Sequence, residues 1–193
     1  MKRFLGIIPL ILLLITPLKA NDIKKFQIDD MSIGDSLLNF FSEEEIIKGV
    51  KTNYPGSKEF YGIHFFSKSD TYDQYSFMIK SNDKKYRIYS LSGDIYFIDD
   101  LPGCLKKKEE IVKDVSSMFS NVKKNTYSHE YKTLADGKSF AKITDLENLK
   151  NGLIRIFCNT YSKKAEKLGY KDTLVVNIST NELTDWINNK AYK

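Results

Sequence analysis

Apolar and polar residues alternate with a period of two along several stretches of the chain, and this pattern predicts strands. Between Lys58 and Phe66, the residues Phe60, Gly62, His64 and Phe66 fall on one side, with Tyr61, Ile63 and Phe65 on the other. From Gln74 to Lys80, Tyr75, Phe77 and Ile79 share a side. Asn82-Asp83 follows as a two-residue turn, since both residues tolerate positive φ. That turn sets Ile79 opposite Tyr86, Phe77 opposite Ile88 and Tyr75 opposite Ser90. Ser92-Gly93-Asp94 predicts a second turn, leading into a strand over Ile95 to Asp99. Here both sides are apolar, so either this part of the sheet is covered on both faces or one face meets a partner. Tyr89, Leu91, Ile95 and Phe97 form the candidate interaction face.

The period changes to helical after Pro102-Gly103. Ile111, Val112, Val115, Met118 and Phe119 make one stripe of a helix that opens at about Cys104. Cys104 lies seven residues before Ile111, on the same inward stripe. Earlier, Ser42 followed by Glu45 is a capping box that opens a helix from Glu43 to about Val50. The second half repeats the plan, with strands expected at Asn125–Leu134, Ser139–Leu146, Leu153–Tyr161 and Asp172–Ser179. A second capping box, Ser179 with Glu182, opens a short terminal helix through Leu183, Trp186 and Ile187. These elements predict an α+β fold: a mainly antiparallel, meandering sheet arrangement with helices packed on it. It consists of two helix-then-strands halves, 21–100 and 101–193, within one domain over 21–193.

The first twenty residues stand apart. A basic start, Met1-Lys2-Arg3, precedes an uncharged apolar run from Phe4 to Leu18, and Ala20 supplies a small residue at the end. This is the layout of a signal peptide removed on export. A membrane-spanning helix needs about 20 apolar residues, and this run is shorter and carries Pro9 and Pro17. Export then places the chain in the periplasm or outside the cell, with no stable transmembrane segment after cleavage.

Removing the leader changes the charge balance. It holds three of the thirty basic residues and none of the twenty-five acids, leaving 27 against 25. Arg87 and Arg155 are then the remaining arginines. A balanced, arginine-poor surface gives no steering toward nucleic acid.

Two cysteines remain, Cys104 and Cys158. An oxidising compartment favours their pairing, and the alternative is two buried thiols. There is no CxxC, HExxH or other metal-type array, so neither a metal nor a cofactor is expected. His64 reads as a core or half-buried histidine, and His129 as a solvated strand residue. Asp99-Asp100 reads as a turn and helix cap. Lys106-Lys107-Lys108 reads as a solvated helix face.

The segments FQIDDMSIGDSLLNFFSEEEI (26–46) and SLSGDIYFIDDLPGCLKKKEEIVKDVSSMF (90–119) resemble small exported proteins of AT-rich marine bacteria. The resemblance implies export and a shared fold; it carries over no activity and no functional residue. The function expected from the sequence is a non-enzymatic exported module that binds a protein or small ligand of the cell envelope. The alternative is an envelope enzyme with a dispersed site of Asp, Tyr and Lys residues.

Overall fold

Alternating strands of this kind bury one face each and need a layer to cover it. The computed structural model, which describes residues 22–193, supplies that layer on an eight-stranded antiparallel sheet. The signal-peptide reading of residues 1–20 lies outside the described residues. In chain order the elements are α1 (Glu43–Lys48), β1 (Val50–Thr52), β2 (Phe60–Phe66), β3 (Gln74–Lys80) and β4 (Ser90–Tyr96). Then come α2 (Leu101–Met118), β5 (Lys123–Glu130), β6 (Phe140–Leu149), β7 (Gly152–Thr160), α3 (Lys163–Glu166), β8 (Thr173–Thr180) and α4 (Asn181–Asn189).

The strand order is β1-β2-β3-β4-β8-β7-β6-β5. Each half is therefore a four-stranded meander preceded by a helix, and the two meanders join where the last strand of one pairs with the last strand of the other. The α+β architecture and the helix-then-strands halves match the sequence pattern.

One face of the sheet carries the main core. Ile63, Phe77, Leu91, Ile154, Ile156, Leu174, Val176 and Ile178 point to it from five strands. Val112 and Val115 of α2 cover that face, together with Ile23, Ile28 and Leu37 of the N-terminal segment. Cys104 lies on the inward side of α2 and forms a disulfide with Cys158 of β7, the two Cα atoms 6.1 Å apart. Lys108 sits one helical turn after Cys104 and is buried with it. Its ammonium donates to Thr144 Oγ1 at 3.0 Å, so the lysine run is not a uniformly solvated face. The opposite face has a small satellite core at one end, where Phe60 packs against Leu183 and Trp186 of α4.

Local capping chemistry explains most helix ends. Ser42 and Glu45 form the expected capping box of α1. Helix α2 begins earlier than its apolar stripe indicates, at Leu101, because the Asp100 carboxylate accepts from Gly103 N at 2.9 Å. Helix α4 is capped by Thr180, not Ser179, with Thr180 Oγ1 accepting from Leu183 N.

The hairpin around Asn82-Asp83 departs from expectation. Phe77 pairs with Leu91 instead of Ile88, and Tyr75 with Gly93 instead of Ser90. The N-terminal segment captures the intervening backbone. Leu37 N donates to Tyr86 O, Ile88 N donates to Asp35 O, and Gly34 N donates to Ile88 O. Residues 86–88 are thus withdrawn from β3, and the connection from β3 to β4 becomes a long loop.

The expected turn at Ser92-Gly93-Asp94 is instead the middle of β4. Gly93 is required there by packing, since a Cβ would sit 2.5 Å from the Tyr72 ring. Gly93→Ala is expected to lower stability by about 1–3 kcal/mol, and to cost clearly less when Tyr72 is also Ala; urea denaturation of the four proteins measures the coupling. The disulfide closes a loop with a sequence separation of 54, for which chain entropy gives about 4 kcal/mol. The Cys104→Ala/Cys158→Ala protein should melt roughly 10 °C lower, as read by calorimetry.

Candidate functional site

The face of the sheet away from α2 is polar, and the strand register explains how. His64 pairs with Ser76, Ser76 with Ser92, Ser92 with Asn177, Asn177 with Arg155, and Arg155 with Asp145. Directly paired residues project to the same face. One row of hydrogen-bonding side chains therefore crosses six strands, from β2 to β6. The next row along includes Gln74 and Asp94, followed by Tyr96, Thr173 and Asn159 in the row after that.

These rows floor a trough. Helix α4 walls one end, where Leu183, Thr184 and Ile187 border a cavity of about 390 Å³ above Asn177 and Arg155. The segment around Tyr161 and Tyr170 walls the other end, over a cavity of about 430 Å³ above Asp94. His64 and Ser76 line both cavities, so the two are halves of one feature. A further hollow of about 490 Å³ beside β1, which also touches His64, is largely apolar, with Phe40, Val50 and Phe66 in its lining.

Most of the polar row is internally paired. His64 Nδ1 lies 2.8 Å from Ser76 Oγ, and its Nε2 lies 3.0 Å from Thr52 Oγ1. Burial lowers the His64 pKa, so the ring is neutral at pH 7. Asn177 Nδ2 donates to Ser90 Oγ and to Ser92 Oγ, both at 2.8 Å. Arg155 grips Asp145 with two hydrogen bonds, of 2.7 and 2.9 Å, and Tyr127 donates to the same carboxylate. Asn159 accepts from the Tyr131 hydroxyl and donates to Thr173 Oγ1.

Asp94 is the exception. Its Oδ1 is buried, and among the described residues no hydrogen bond reaches it. Burial pushes its carboxyl up to about 7. Tyr161 nearby is raised as well, mainly by burial and then by the neighbouring Tyr131. The trough thus contains a carboxyl that exchanges a proton near neutrality and has an unfilled acceptor position.

The residues singled out from the sequence lie elsewhere. Leu91 is fully buried in the main core, and Ile95 and Phe97 pack against that same core. Tyr89 is half-buried with the satellite core, its ring edge-on to Phe60 at 5.1 Å and Lys80 Nζ 5.1 Å from its centroid. The four are not brought together on one surface. His129 is exposed on the edge strand β5, while Asp99 pairs with Lys163 at 2.7 Å. His64, read as a core or half-buried histidine, is half-buried and lines both halves of the trough. Among the described residues no group of three His, Cys, Asp or Glu side chains could hold a metal, and no helix is long and apolar enough to cross a membrane.

Ser76, Arg155, Asn177 and Asn159 were not among the candidate site residues, although each interrupts an apolar strand at an alternate position. That polar alternation was the available signal. It could not say which strands are neighbours.

No protein-family model, curated protein or solved structure matches the chain.

Asp94 makes an unusual contribution to stability. Its pKa in the folded state lies above its value of 3.8 in the unfolded chain. The folded form therefore holds the proton more tightly. This contribution is fully present below about pH 4, declines as pH rises toward 7, and is lost above that. It runs opposite to that of Asp83, whose carboxyl is held low by Arg87 against the effect of burial. Asp94→Asn should thus be more stable than wild type at pH 8, with the advantage shrinking as pH falls from 7 to 4. Chemical denaturation of both proteins across that range would show it, and parallel curves would contradict the assignment.

Proposed function

We propose that the protein is a non-enzymatic, extracytoplasmic binding module that holds a small polar ligand in the trough. The observation that carries this reading is Asp94, a buried acceptor with no partner on a floor whose other polar groups are paired. An unsatisfied buried polar atom costs roughly 1–3 kcal/mol, and a ligand donor would remove that cost. The two cavities, of about 390 and 430 Å³, lie in the size range of small-ligand sites. The disulfide and the signal-type leader support a location outside the cytoplasm.

A second reading, an enzyme with a dispersed site, draws support from the same carboxyl. A group that titrates near 7 suits proton transfer. Its mark would be chemical conversion of the bound ligand, abolished in Asp94→Asn.

Equilibrium dialysis of the purified protein against the small-molecule fraction of its own cells, followed by mass spectrometry, tests the binding reading. Wild type should enrich a compound that Ser92→Phe, which fills the trough floor, does not. Identical profiles for the two proteins, with Ser92→Phe folded by circular dichroism, would refute it.

A further inference from the structure

The Asp94 half of the trough differs in composition from the Arg155 half. Its wall is aromatic and its floor combines uncharged hydrogen-bonding groups with the Asp94 carboxyl. Tyr161 is fixed from behind by stacking on Tyr131, with centroids 5.5 Å apart and planes at 11°. On its other side it meets Tyr170 at 5.0 Å, and Tyr170 is 44% exposed. A rigid ring supporting a solvent-facing ring makes a platform at little entropic cost. Across the cavity, the Tyr96 ring carries Lys171 Nζ 4.3 Å from its centroid. The floor between them offers Gln74, Asn159, Thr173 and the unfilled Asp94 Oδ1.

This combination discriminates among ligand classes. An anionic group would meet the Asp94 carboxyl, and Arg155, in the other half, is committed to Asp145 by two hydrogen bonds. Lys171 is held against Tyr96. A simple amine would satisfy Asp94 and suit the aromatic faces, yet it presents no hydroxyl edge to Gln74, Asn159 and Thr173. A sugar ring presents both surfaces at once. Its edge carries hydroxyls that donate and accept. Its flat C–H face bears partial positive charge and suits the negative face of an aromatic ring.

We propose that the Asp94 half of the trough is a saccharide subsite. A sugar ring lies against Tyr170, backed by Tyr161, and one of its hydroxyls donates to the Asp94 carboxyl. This assignment rests on the trough being the ligand site, and goes beyond it in naming the ligand class.

Titration of the ¹⁵N-labelled protein with cellotriose, maltotriose, chitotriose and mannotriose, followed by amide shifts, tests the subsite. At least one trisaccharide should shift Asp94, Asn159 and Tyr170 saturably. Asp94→Leu should weaken that binding tenfold or more, since it removes the acceptor and keeps the bulk. Tyr170→Ala, which alters an exposed ring and leaves the core untouched, should weaken it several-fold. Failure of all four sugars to shift these residues, or equal binding by wild type and both variants, overturns the saccharide assignment. An amine or peptide recovered by dialysis and seated at the same resonances overturns it too, while leaving the trough reading intact. If neither sugars nor extract compounds perturb the trough, both readings fall.

Discussion

The pairing of β4 with β8 is the contact on which the rest of the molecule depends. Ser90 through Tyr96 lie against Ser179 through Thr173 in unbroken antiparallel register. Each strand ends its own meander, so this ladder is where two half-sheets become one. Without it each half would expose a strand edge that carries Leu91 or Ile178 beside open backbone, an arrangement prone to association. With it, the apolar rows of both halves merge into one surface wide enough for α2 and the N-terminal segment to cover. The disulfide acts alongside the ladder, tying α2 to β7 across the covered face.

The same ladder creates the trough. It places Ser92 beside Asn177, extending the His64–Ser76 pair of the first half into the Arg155–Asp145 pair of the second. It also sets Asp94 beside Val175, on the approach to Tyr161, where burial raises both groups. A shift of β4 by one residue would turn Asp94 toward the α2 core and Ile95 toward the trough. Register is thus the quantity that selection on a buried core would hold fixed, and the polar face is fixed with it. The α2 side is dense and apolar, and internal pairing leaves the opposite side polar without making it unstable.

The departures from the sequence pattern share one cause. Residues 86–88 alternate as a strand should, yet they hydrogen-bond to residues 34–37 and not to β3. A turn-forming pair such as Asn82-Asp83 offers one local solution, and the N-terminal segment offers a better one by burying Ile88 and Leu37 together. Gly93 likewise has the chemistry of a turn, but its missing side chain makes room for Tyr72. Lys108 follows Cys104 by one helical turn, and that phase decides its burial more than its charge does.

What the sequence determined by itself was local and periodic. The alternation of β2 and β3, the capping box at Ser42, the inward phase of Cys104 and the repeated helix-then-strands plan each rest on residues close together in the chain. The tertiary structure decided the strand order, the β3–β4 register and the site. His64, Ser76, Asp94, Asn177 and Arg155 come from five strands, and no local signal states that β4 lies beside β8. The physical reason is that strand neighbours are chosen by the burial of whole apolar faces. The polar residues between those faces are carried to their partners by a register they do not set.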